Sequence, residues 1–250
     1  MRAGQKLRDA NGYQVALFPL TGFHISQTDY GTYSHGGGAV YWATDYLGWN
    51  SSGRVYRDPC YAPVDIKLIF KESSEAIAVW ESLTPVHLAN GVIDYLTITC
   101  YHDNDVANNN YYAIGTIKRQ GQEFFKTGTG GNVTGDHVHI ETGRGKYLTG
   151  TSTASGTPEY KYHITDYTTP KRLHNYDALF INDTDPYESP TNYVWKTFTP
   201  SPTPGDDGNK KFPWYIITSK KIHKKLRYWQ NKKYIILFIH RKDVSYRWQS

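Results

Sequence analysis

The chain has 250 residues, a formal net charge of +5, 38% hydrophobic residues and a mean hydropathy of −0.63, enough for one substantial core plus an appendage or for two small domains. No run approaches the ~20 apolar residues that span a bilayer as a helix, and the first residues, MRAGQKLRDANGYQVALFPLTG, lack the apolar stretch and small-residue cleavage site of a secretory signal. Aromatics reach 15%, with 22 Tyr against a single Met, which suits pleated sheets better than helices and predicts a mainly β body.

Along the chain, short apolar or alternating segments recur between turn-rich stretches: AVYWATDYLG (39–48), DIKLIF (65–70), AIAVWES (76–82), DYLTITCYH (94–102), YAIGTIKR (112–119), EFFKTG (123–128) and HVHIET (137–142). Their length and spacing predict an antiparallel sheet or sandwich-like arrangement over residues 1–196. Residues 146–196, including DALFINDTDPY (177–187), are expected to complete that domain or to wall its cleft, without an assignable chemistry. Cys60 and Cys100 could pair, but in a chain with no export signal they read as two buried thiols.

The stretch TFTPSPTPGDDGNKK (197–211) carries prolines at 200, 202 and 204 before a Gly/Asp cluster and reads as a stiff linker. From Lys210 to Ser250 there are 12 Lys and Arg against one acid, Asp243, a net charge of +11, whereas the preceding residues carry 16 basic and 22 acidic groups, a net −6. The basic segment 212–250 therefore has its own electrostatic preference, for anionic wall polymers or a membrane surface. Within it, KKIHKKLRYWQNKK (220–233) places Ile222, Leu226 and Trp229 on one side of a basic helix. No recognition motif accompanies these charges, so nucleic acid is not expected as a partner.

Chemistry concentrates in TGDHVHIETGRG (134–145). In extended chain His137, His139 and Glu141 share one face and Val138 and Ile140 the other. Ten histidines in 250 residues would supply about 0.4 such H-x-H pairs by chance, so the pair gains meaning only from its surroundings. Two further stretches supply them: TYSHGGGAVYWATDY (32–46), with His35, three glycines and Asp45, and DYLTITCYHDND (94–105), an apolar strand ending at His102. A catalytic zinc takes three protein ligands of imidazole or carboxylate type and keeps a fourth position for water. His35, Asp45 and His139 fit that requirement. His24 and Asp29 form a closer-spaced alternative pair without the Gly-rich turn, and His87, His163 and His174 have no comparable context.

Taken in order, the SH…D pair, APVD (62–65), ITCYH (98–102), GTIKRQGQEFFKTGTGG (115–131) and GDHVHIE (135–141) resemble the M23 peptidases of LytM/lysostaphin type over about residues 15–145. The resemblance implies an M23-type β fold, Zn²⁺ bound by His35, Asp45 and His139, and His102 and His137 as the catalytic histidines beside the metal. It also implies an endopeptidase that cuts the peptide stems or bridges of bacterial peptidoglycan. One departure stands out: the family usually spaces its first ligands H-x3-D, whereas His35 and Asp45 are separated by nine residues.

Glu141 could orient an imidazole or simply end a strand, and Tyr41, Tyr46 and Tyr101 could touch substrate. The missing leader fits a phage product made in the host cytoplasm that reaches the wall at lysis or on a virion, with phage tail proteins as further partners. The competing expectation is a non-catalytic wall-binding or tail protein with a peptidase-like domain, which would be expected to have lost ligands.

Overall fold

The computed structural model describes residues 1–35, 42–147, 164 and 171–200. The Gly-rich turn after His35, Tyr41, His163, most of the 197–211 linker and the basic 212–250 segment lie outside the described residues. Among the described residues, fourteen strands and two single-turn helices follow in chain order: β1 (Gly22–Gln27), β2 (Thr44–Asn50), β3 (Gly53–Val55), β4 (Pro59–Tyr61), β5 (Ile66–Glu72), β6 (Ile77–Ser82), β7 (Val86–His87), β8 (Ile93–Asp94), β9 (Leu96–Tyr101), α1 (Asn104–Ala107), β10 (Ile117–Lys118), β11 (Glu123–Lys126), β12 (Val138–Arg144), β13 (Lys171–Leu173), α2 (Asn175–Ala178) and β14 (Asp185–Glu188). The protein is mainly β, as its composition predicts. Neither helix is long or apolar enough to cross a membrane.

Ten strands form one sheet in the order β10-β5-β6-β9-β12-β2-β1-β14, with β13 paired to β12 and β3 to β2. Pairing is antiparallel except between β1 and β14. Two small ribbons, β4 with β11 and β7 with β8, lie outside this sheet. All six residues of β9 are buried, as are the first six of β12. Both faces of these central strands are thus buried although their sequences alternate, with Thr97 and Thr99 between the apolar residues of β9 and His139 and Glu141 between those of β12.

The core sits under the centre of the sheet. Val138 and Ile140 of β12, Ile98 and Cys100 of β9 and Tyr46 of β2 are all fully buried, and each aliphatic side chain contributes roughly 1.5–3 kcal/mol by leaving water. Phe18 lies 4.7 Å from Phe23 and 4.9 Å from Tyr46 between ring centroids, and Trp80 meets Phe124 edge-on at 5.5 Å. Cys60 and Cys100 are free thiols within this core, and burial pushes both well above the ordinary thiol range, leaving them unreactive.

Two segment expectations need correction. The strand predicted over 112–119 shrinks to Ile117–Lys118, because Gly115 at φ +92° and the Thr116–Ala113 hydrogen bond turn the chain before it can pair. Among the described residues of 39–48, the strand starts only at Thr44. Strands β1, β3, β13 and β14 carry weak apolar patterns and take their conformation from longer neighbours in the sheet.

Candidate functional site

The pairing register assembles the site. His139 lies opposite Asp45 on one neighbouring strand and opposite Tyr101 on the other, and residues directly opposite in a sheet project from the same face. Asp45 in turn pairs with Gln27 of β1. Val138 and Ile140 anchor the other face of β12 in the core, so slipping one residue would bury the histidines and expose the apolar side chains.

His35 arrives by a loop rather than a strand. Ser34 donates its N–H to Gln27 Oε1 at 3.2 Å, and Gln27 Nε2 reaches Ser34 Oγ at 2.6 Å and Asp45 Oδ2 at 3.4 Å. The His35 ring then bonds the Thr28 carbonyl. Both ends of the nine-residue gap are thus tied to the end of β1, and the number of residues between them has little effect on where the two side chains meet.

Three donor atoms converge there: His35 Nε2, Asp45 Oδ1 and His139 Nδ1. Their separations are 3.0 Å from Asp45 to His139, 3.2 Å from His35 to His139 and 3.4 Å from His35 to Asp45. Bonds of about 2.0 Å to one tetrahedral ion would place ligand atoms about 3.3 Å apart, so the triangle has the size a small divalent ion requires.

The outer hydrogen bonds set which ring nitrogens carry protons. A carbonyl oxygen only accepts, so His35 Nδ1 donates to Thr28 O at 3.0 Å and turns a lone pair on Nε2 toward the triangle. Likewise His139 Nε2 donates to Glu141 Oε1 at 3.3 Å, which leaves Nδ1 toward the triangle. Acceptors then face one another across ~3 Å, an arrangement that requires a proton or a metal cation between them.

Without metal, that role falls to a proton. Burial opposes a charge on His139, but hydrogen bonds and charge from Asp45 and Glu141 outweigh it and raise the imidazole to about 9. Burial would also raise the Asp45 carboxyl, yet the adjoining His139 and His35 imidazoles hold it well below the usual carboxylate range.

His137 and His102 stand beside the triangle without completing it. His137 Nδ1 donates to Gly135 O at 2.8 Å, and its Nε2 lies 3.7 Å from Asp45 Oδ2. His102 Nδ1 donates to Gly130 O at 3.0 Å, and its ring centroid is 4.5 Å from that of His137. Both therefore keep an accepting Nε2. Burial first, then the neighbouring His137 and His139, lowers His102 to about 3 and keeps it neutral. A groove of about 520 Å³ opens over these groups, lined by Asp45, His102, His137 and His139 together with Gln27 and Arg54.

The pattern in the sequence gave no sign of Arg57. Its Nη1 bonds Asp103 Oδ1 at 2.7 Å, Asn104 Oδ1 and Thr127 O at 3.0 Å each, and its Nη2 bonds Asp105 Oδ2 at 3.0 Å. It thereby clamps the segment that follows His102 onto the loop before Gly130. His102 itself adopts φ +87°, a conformation that costs a non-glycine residue of order 1–3 kcal/mol and has to be imposed by its surroundings. Gly128 allows it, since a Cβ there would stand 2.2 Å from the His102 carbonyl oxygen.

Other candidates fall elsewhere. His24 pairs with Glu188 at 2.8 Å, and Asp29 with His174 and Tyr193, so the two do not come together. His174 stacks between Trp42 and Tyr176, and His87 pairs with Asp9. Tyr46 is a core residue, because it alternates with Asp45 and faces away from the groove. Tyr101 donates its hydroxyl to Glu141 at 3.0 Å, and Glu141 also accepts from the Ile164 N–H at 2.7 Å. Both therefore support His139 from behind.

No protein-family model matches the chain. It is similar to morphogenesis protein 1 of Bacillus phage B103, with 28% identity over 195 residues that cover 76% of this chain and 46% of that protein. The chain thus spans less than half the length of this curated relative. Two solved structures also resemble it: a zinc-containing peptidase from Vibrio cholerae (15% identity, 55% of this chain and 42% of that chain, TM-score 0.35), and the catalytic domain of the prophage-encoded M23 protein EnpA from Enterococcus faecalis (19% identity, 50% of this chain and 82% of that chain, TM-score 0.34).

Proposed function

We propose that this chain is a zinc-dependent endopeptidase of M23 type that hydrolyses peptide stems or cross-bridges of bacterial peptidoglycan for a phage. The observation that carries this reading is the triangle of His35, Asp45 and His139, with donor separations of 3.0–3.4 Å, under a groove that also holds two imidazoles with accepting nitrogens. A zinc ion on that triangle would act as a Lewis acid, polarising the scissile carbonyl and acidifying the attacking water.

The remaining steps belong to the protein. His137 Nε2, held by the Gly135 carbonyl behind it, is placed to take the proton of the attacking water. His102, neutral within its pocket, accepts a hydrogen bond from the substrate or shares that proton before it passes to the leaving amine. Positioned proton transfer of this kind contributes typically 10²–10⁴-fold in rate. Gln27 holds the His35 loop against Asp45, so the ligands keep their places while a peptide enters the groove.

A second reading is a virion part that binds the wall without cutting it; the phage relative is named for morphogenesis. Retention of all three candidate ligands weighs against it. The test is zinc content and wall lysis of the purified chain beside His139→Ala. The peptidase reading expects about one zinc per chain, with both zinc and lysis lost in the variant and lysis lost on chelation. A chain with no zinc, or lysis unaffected by the substitution and the chelator, overturns it.

A further inference from the structure

The rim of the groove carries one charge that the chemistry above leaves unused. Arg54 on β3 is exposed, and it is the only Lys or Arg among the described residues that line the groove. Its Nη2 donates to the Asp136 carbonyl at 2.6 Å, and its guanidinium carbon lies 4.8 Å from the centre of the Tyr56 ring. Asp136 directly precedes His137, so the fork is fixed one residue from the proposed proton-handling group. These contacts orient the guanidinium but occupy one of its five N–H donors.

The described carboxylates near the groove form no ion pair with Arg54, although Asp136 Oδ1 is buried without a hydrogen-bond partner. Asp45 faces His35 and His139. Asp136 is 5% exposed and accepts the Arg57 backbone N–H on Oδ2, and it lies near enough to Asp58 to help burial raise that carboxyl to about 6. No carboxylate of the described residues lies within ion-pair distance of Arg54. A pre-oriented, uncompensated guanidinium beside a hydrolytic centre suits a planar anion that arrives with the substrate.

We propose that Arg54 determines specificity by receiving a carboxylate of the bound peptide, so that the groove selects acidic peptides with a free carboxylate near the scissile bond over neutral ones. The proposal rests on the peptidase reading and names its substrate class. The carboxylate is supplied either by the end of a peptide chain or by an internal acidic residue.

The test uses a cross-linked stem-peptide dimer in three forms: all carboxylates free, terminal carboxylate amidated, and internal acidic carboxylate amidated. Binding is read by calorimetry on the zinc-loaded full chain carrying His137→Ala, and cleavage on the otherwise unaltered chain. The free form is expected to bind about tenfold tighter than one of the amidated forms, the order of magnitude for a partly exposed charge-assisted pair. Which amidation removes the gain identifies the source of the carboxylate. Arg54→Gln should erase the difference, raising KM for the free form with little change in kcat, and Arg54→Lys should restore part of it. Equal binding of all three forms, or a preference that survives Arg54→Gln, overturns the proposal whatever the kinetics. Absence of zinc-dependent cleavage in the unaltered chain overturns the peptidase reading instead, and the binding comparison still decides the role of Arg54.

Discussion

Glu141→Gln is the sharpest probe of how the candidate metal triangle is held. From the described residues Glu141 accepts three hydrogen bonds behind the site: His139 Nε2 at 3.3 Å, Tyr101 Oη at 3.0 Å and Ile164 N at 2.7 Å. Glutamine keeps the shape but has one accepting oxygen. If that oxygen serves His139 and Tyr101, the amide NH₂ meets the Ile164 N–H, donor against donor; if it flips, it opposes the His139 N–H instead. An unsatisfied buried donor costs about 1–3 kcal/mol, and the bond to His139 loses its charge assistance. Changes of this type behind a metal ligand lower affinity by roughly 10–100-fold. The assay is zinc competition against a chromophoric chelator, with the near-UV dichroism as a control for folding. Affinity within twofold of the unaltered chain, with folding intact, would refute the assignment of Glu141 as the group that fixes the His139 tautomer.

Three further outcomes follow from the same geometry. In the metal-free chain His139 holds its proton up to about pH 9, so zinc must displace it. Apparent zinc affinity should therefore rise about tenfold per pH unit below that point and level off above it, and calorimetry in buffers of different ionisation enthalpy should show close to one proton released at pH 7. Because this histidine is raised above its unfolded value, its contribution to metal-free stability is complete below about pH 6.5 and lost as pH rises through about 9, which melting of the chelated protein checks. Arg57→Ala should lower stability by about 2 kcal/mol, allowing for its partial exposure and for Asp103 left buried without its guanidinium. It should also reduce kcat more than KM, because His102 loses the clamp that holds its backbone. Arg57→Lys should fall between, and an unchanged kcat in Arg57→Ala would rule out a positioning role.

Much of this was legible in the chain itself. The alternation around His137 and His139 already separated an apolar back from a polar front, because the period of an extended strand is two residues and depends on no partner. Composition was enough to indicate a mainly β body, and Cys60 and Cys100, read as two buried thiols, are free and buried. The run ending at His102 announced a strand by its β-branched and apolar residues, Leu96 to Tyr101.

What tertiary structure alone decided is which of those residues meet. Asp45 lies opposite His139 only because β2 and β12 pair in that register, and His35 joins them only because Gln27 and Thr28 fasten its loop to the end of β1, which removes the difficulty posed by the nine-residue spacing. Tyr46, a substrate candidate by its type, turns into the core because it alternates with Asp45. Arg57 and Arg54 had no local signal, since the hydrogen-bond partners of both guanidinium groups lie dozens of residues away. Local pattern fixes the face to which a side chain points, whereas long-range pairing, whose cost and reward depend on the whole sheet, determines what stands opposite.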